Sequence, residues 1–153
     1  MKFNNKGFTL IEMLAVVVIL GIISTIMIPS VNYIISKNKE DNLNNLNKSI
    51  VSAVKLFVSD NRYNISLSGK CNDDNTGSRD INKIGDIVIN DNRVNVSTLV
   101  SSSYLSVNKG GIILNPNDDD LKLDMDNSYV IVRYDCKNRD YLFDTPKLEW
   151  IKK

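Results

Sequence analysis

Histidine is absent from the 153 residues. The commonest general base near neutral pH and the commonest metal ligand are missing with it. Cysteine is scarce. Cys71 and Cys136 lie far apart and neither belongs to a CxxC pair, so zinc and thioredoxin-like readings fail. No nucleophile can be placed beside a base, and cysteine chemistry has no histidine partner. The chain therefore reads as a non-enzyme, with no metal site and no cofactor indicated. Charge of one sign is also missing. The formal net charge is +1 and, past residue 36, 17 basic residues face 17 acidic ones. With no basic stripe, nucleic acid is not indicated as a partner.

Charge is missing locally as well. From Lys6 to Lys37 the only charged side chain between the two is Glu12. Phe8 to Ile28 is a run of 21 residues, about 31 Å as a helix, which matches the core of a bilayer. Lys2 and Lys6 precede it and favour a cytoplasmic N-terminus, so the remainder faces outward. A cleaved secretory signal needs a shorter apolar core followed by a small-x-small site, and Ile26-Met27-Ile28-Pro29 offers none. An ordinary signal anchor explains the length and orientation. It leaves Glu12 unexplained, because an unpaired carboxylate in an apolar helix is expensive. Pro29 removes a backbone donor and clashes with the carbonyl of Thr25, which predicts a bend, and Gly21 is a second weak point.

The order Lys6-Gly7, then Phe8-Thr9-Leu10-Ile11-Glu12, resembles the prepilin leader junction of type IV pilins and type II secretion pseudopilins. The resemblance implies a leader of residues 1–7, cut after Gly7 on the cytoplasmic side by a membrane prepilin peptidase. Phe8 becomes the N-methylated first residue of the mature chain, and Glu12 its fifth. The implied assembly residues are Phe8, Glu12 and Pro29. In that family the ammonium of one subunit is proposed to meet the glutamate of its neighbour, and such a pair sets axial register in a low-dielectric core. Physical chemistry leaves another arrangement open. Phe8 and Glu12 are four residues apart, so the pair can also close within one helix, where the macrodipole also favours a negative charge in the first turn.

Beyond the membrane stretch the helical pattern persists. Leu43, Leu46, Ile50, Val54, Phe57 and Val58 form one apolar face. One helix is expected from about Phe8 to Asn61, its C-terminal half lying under a sheet. "SLSGKCNDDNTGSRDINK" reads as a polar surface loop carrying Cys71. Ile84–Ile89 and Arg93–Val96 read as a hairpin about Asn90-Asp91-Asn92, and Ser97 as the N-cap of a short helix. Asn115-Pro116-Asn117 is a turn. Leu121–Met125, Tyr129–Cys136, Tyr141–Phe143 and Leu148–Ile151 read as strands. Cys71 and Cys136 are a candidate disulfide if the soluble part lies outside the cytosol, and two buried thiols otherwise. The aspartates between Asp118 and Asp126 lack the glycine-containing calcium-loop spacing and read as a solvated acidic turn.

The expected fold is α+β: a long N-terminal helix with an antiparallel sheet on its C-terminal half. The expected segments are residues 1–7 as leader, 8–36 as transmembrane and filament-core helix, and 37–153 as the pilin globular domain. The resemblance implies a structural subunit of a bacterial pilus that resides in the membrane before assembly and in an extracellular filament afterwards. Its partners would be other pilin subunits, the prepilin peptidase and the membrane assembly platform. A pseudopilin of a secretion or DNA-uptake machine and an adhesive minor tip subunit are the alternatives. The 21 asparagines fit an AT-rich bacterial genome.

Overall fold

Helix α1 spans Leu10–Asp60. The computed structural model describes residues 9–153, and within α1 the side chains of residues 26–30 lie outside that description. The chain divides into two compact units, Met1–Glu40 and Asp41–Lys153. In the second unit the apolar stripe of α1 behaves as its spacing requires. Ile50, Ala53, Val54, Phe57 and Val58 are all buried, and Leu46 packs half-buried beside them. The helix stops where Asn61 takes over its last turn. The Asn61 backbone N–H and side-chain Nδ2 both donate to the Phe57 carbonyl, at 3.3 and 2.9 Å. These bonds satisfy an acceptor that the helix end would otherwise orphan. A single 3₁₀ turn, Arg62–Asn64, follows.

The remaining elements are β1 (Ile65–Ser68), β2 (Ser78–Ile84), β3 (Ile87–Val88), β4 (Arg93–Asn95), α2 (Val96–Ser101), β5 (Leu114–Asn115), β6 (Asp118–Leu123), β7 (Tyr129–Asp135), β8 (Asp140–Phe143) and β9 (Trp150–Lys152). All their pairings are antiparallel, and the α+β architecture expected from the sequence is the one observed. In finer detail the strands form two sheets. The larger follows β1-β2-β7-β4, with β3 added to β2 and β8 to β7. The smaller is β5-β6-β9. Strand β7 is the hub, pairing with β2, β4 and β8. Its Val130 and Val132 alternate into the core with no exposed surface. Leu123 of β6 is buried in the same core, against which Met125, Leu148 and Trp150 also pack.

Three local readings are corrected. The stretch read as a loop around Cys71 carries β1 at one end and β2 at the other. Period-two reasoning fails on β2 because Leu67 pairs with Ile81 and Ser66 with Lys83, which leaves Asn82 as an extra residue. That bulge places Ile81 and Ile84, three apart, on the same buried face. The hairpin about Asn90-Asp91-Asn92 is the second. Its arms meet only at the isolated bridge Asn90–Arg93. Ile84 pairs instead with Ile87. Gly85 makes that turn with φ +60°, and a Cβ there would lie 2.6 Å from Asn61 Oδ1. β4 goes to β7 because Asn92 redirects the chain. Its Oδ1 accepts from the Ile81 N–H at 2.6 Å, its Nδ2 donates to Asp80, and its carbonyl accepts from the Val132 N–H at 2.8 Å. The cap of α2 also shifts by two residues, from Ser97 to Asn95.

Candidate assembly site on the N-terminal helix

A helix begins with four N–H groups that have no partner within it. At the start of α1, Thr9 and Glu12 resolve part of that deficit between them. The Thr9 N–H donates to Glu12 Oε2 at 2.7 Å, and the Thr9 hydroxyl donates to the same oxygen at 2.8 Å. In return the Glu12 N–H donates to Thr9 Oγ1 at 3.4 Å. This is a capping box, the reciprocal arrangement that Thr-x-x-Glu favours. The sequence reading missed it although the spacing was in plain view, because it sought a cation for Glu12 and overlooked the neutral donors. Both bonds fall on Oε2. A carboxylate offers more acceptor sites than these two occupy, so Glu12 is anchored in its own helix with capacity left for a further donor.

The helix that follows has no inward face in the first unit. Every side chain from Thr9 to Thr25 is exposed, as is every one from Val31 to Glu40. Leu10 is 85% and Val17 66% exposed, and Ile23, the most covered large apolar residue of this stretch, is still 42% exposed. A helix that is apolar on all sides belongs in an apolar surrounding. The two hydroxyl residues near Gly21 comply with that demand. Ser24 Oγ donates to the Leu20 carbonyl at 2.7 Å and Thr25 Oγ1 to the Ile22 carbonyl at 2.7 Å, so neither needs water. Among the described residues no helix is long and apolar enough to cross a membrane.

The other sequence-derived residues fall as follows. Gly7 and Phe8 lie outside the described residues. Pro29 falls within α1, but its side chain and the bend expected there lie outside the description. Cys71 and Cys136 form a disulfide with S–S 2.02 Å and Cα–Cα 5.8 Å. It fastens the β1–β2 connection to the end of β7, where the Cys136 N–H also donates to the Gly77 carbonyl. The aspartate-rich stretch is largely strand β6, with Asp118, Asp119 and Asp120 exposed at its start. Asp124 closes the next turn. It accepts from Asn127 Nδ2 at 2.8 Å and from the N–H groups of Asp126 and Asn127, and the Asn127 bonds lead in holding its carboxyl below the usual range. Among the described residues no group of three or more acidic, cysteine or histidine side chains is placed to hold a metal ion.

Residues 2–28 match the family model described as the prokaryotic N-terminal methylation motif. The chain is also 34% identical, over 98 residues, to the type IV major fimbrial protein FimA of Dichelobacter nodosus. That alignment covers 62% of this chain and 58% of the relative, so it spans well under two thirds of the relative's length. No solved structure matches the chain. The motif and the relative together support a type IV pilin.

Proposed function

We propose that this chain, with its methylation motif and its likeness to a fimbrial subunit, is a structural subunit of a bacterial type IV pilus assembled through its N-terminal hydrophobic helix. The observation that carries the proposal is the first part of α1: apolar on every side, exposed on every side, and holding one carboxylate at its first turn. Such a surface needs lipid before assembly and other helices after it. Lys2 and Lys6 keep the N-terminus in the cytoplasm, and the outer unit faces out. The peptidase cuts after Gly7, and the amine of Phe8 becomes the mature, methylated terminus.

Glu12 then has two roles that do not compete. Its bonds with Thr9 fix where the helix starts. Its unused acceptor capacity takes the ammonium of a neighbouring subunit, which sets the axial register of the bundle. Partners in this reading are further pilin subunits, the prepilin peptidase and the assembly platform.

The test is the composition of sheared surface filaments from the native host. The expected outcome is this chain in the filament, beginning at a methylated Phe8. Mature protein that begins at Met1, or that is cut beyond Ile28, would overturn the proposal. Presence in the membrane with absence from filaments would instead favour a pseudopilin. For Glu12, the readout is the ratio of filament-borne to membrane-borne chain in Glu12→Ala and Glu12→Gln. Both should fall sharply, and incorporation of both at the wild-type level would remove Glu12 from the assembly contact.

A further inference from the structure

We infer that the outer units of two copies dock by setting the acidic hairpin tip of one chain, Asn117–Asp120, into a cationic groove of the next, between α1 and β8. The inference rests on the filament reading for its choice of partner, a second copy of this chain. It adds a contact that lies outside the hydrophobic helix.

The groove forms where α1 runs beside the edge of the larger sheet. Among the described residues β8 pairs with β7 alone, so its other edge is open. Two adjoining hollows of about 450 and 190 Å³ share Lys55 and Phe143. Their helical wall carries Lys48, Lys55 and Arg62. These cations are spaced seven residues apart, close to two helical turns, so they follow one line along the groove. All three are exposed, and among the described residues none has an ion-pair partner. The two carboxylates of the groove are engaged elsewhere. Asp144 pairs with Arg133 at 2.9 Å, and Asp140 accepts from the Tyr141 N–H at 2.8 Å.

The complementary surface lies on the smaller sheet. Asn115 pairs with Asp118 across the β5–β6 hairpin, which Pro116 and Asn117 close. Asp118, Asp119 and Asp120 follow, all exposed and, among the described residues, all without an ion-pair partner. Lys153 reaches this strand but donates to the Asp119 carbonyl at 3.5 Å, not to a carboxylate.

An independent sign joins the two surfaces. Among the described residues three buried side-chain polar atoms have no hydrogen-bond partner, and two of them are the Oδ1 atoms of Asn47 and Asn117. Asn47 lines the larger hollow, and Asn117 sits at the tip. A shielded acceptor without a donor is costly. Each amide can both donate and accept, so a turn of the two side chains toward each other satisfies both.

Groove and tip are different surfaces of the same chain. A contact between unlike surfaces is heterologous and repeats without limit when its rotation does not close, which suits a fibre. Two grooves face to face would oppose like charges. Exposed ion pairs are individually weak. The contact therefore orients neighbouring outer units, while the apolar helices hold the bundle.

The test uses the full chain in a zwitterionic detergent and two variants that can meet in only one way. The tip-neutral chain carries Asp118→Asn, Asp119→Asn and Asp120→Asn and offers only its groove. The groove-neutral chain carries Lys48→Gln and Lys55→Gln and offers only its tip. Amide shifts of the nitrogen-15-labelled tip-neutral chain are followed as unlabelled groove-neutral chain is added. The amides of Asn47, Lys48, Lys55 and Phe143 should shift. Unlabelled tip-neutral chain should bind about fivefold more weakly or worse, because all the pairs are lost together, and high salt should weaken the contact. Should the tip substitutions lower the thermal midpoint, labelled wild-type and labelled groove-neutral chains are each titrated with wild type, and only the first should shift at residues 47–55. No shift at these residues, equal shifts from both unlabelled variants, or shifts confined to residues 10–25 would each overturn the inference. Absence of the chain from sheared filaments would overturn the filament reading instead, and the titration decides the docking contact in either case.

Discussion

The two units of this chain use one residue vocabulary to opposite ends. In the first, leucine, isoleucine and valine point outward around the whole circumference of α1. In the second, the same residue types turn inward, and Ile50, Val54, Val94, Val130 and Val132 show no exposed surface. The outer unit buries most of its apolar side chains in a core of its own. The helical unit is left unsatisfied, and its surroundings must complete it. Hydrophobicity alone does not separate the two. Periodicity does: a one-sided stripe predicts burial within the chain, and an all-round coat predicts burial against something else.

Substitutions can break that comparison. The largest effect is expected from Phe57→Ala in the outer unit. Phe57 is 2% exposed and stacks edge-to-face on Tyr104. Removing it should cost about 3–5 kcal/mol, read from urea unfolding of the outer unit. Reduction of the Cys71–Cys136 bond, or Cys136→Ser, comes next. A closed loop of 65 residues is worth up to about 4 kcal/mol in the chain-entropy model. Reducing and non-reducing gels should differ in mobility, and unfolding of the outer unit should shift while amides of residues 10–25 stay unmoved. Thr9→Ala should cost roughly 1 kcal/mol of helix stability, confined to the first turn and read as faster amide exchange there. Leu14→Ala, at a position 60% exposed, should leave the unfolding of the outer unit within about 0.5 kcal/mol of wild type. A loss as large as that of Phe57→Ala would erase the distinction between the units.

The smallest effect sharpens the comparison through pH. Hydrogen bonds from Asn127 lead in depressing the folded pKa of Asp124. The bonds it accepts are therefore in place above the ordinary carboxyl range and are lost only as pH falls through the depressed value. The Asn127 amide resonances should therefore move only below the ordinary carboxyl range. If they move within that range, Asp124 gains nothing from its turn.

Much of this architecture was legible in the sequence, and the misses share a cause. The stripe of α1 and the alternation of β7 were readable because nothing interrupts their spacing. β2 was not, because the extra Asn82 turns a period of two into a gap of three. The partner of β4 was not, because it is chosen by the side chain of Asn92, a contact across sequence that no local pattern records. The capping box at Thr9 and Glu12 was written in the sequence and obscured by the more conspicuous question of a charge in an apolar run.

The position of β7 as hub governs when the outer unit can form. β2 and β4 do not pair with each other; both pair with β7, so the path β1-β2-β7-β4 is severed until residues 129–135 exist. Cys71 likewise waits for Cys136, and β6 for β9 at residues 150–152. The first 128 residues can offer a helix and a few hairpins but no continuous large sheet. Non-local pairings of this kind are paid in loop closure before they return any stability. A nascent chain remains open, and prone to sticking, until residues 129–152 have been made. A stop anywhere before β7 leaves the helix and its hairpins without the strand that joins them.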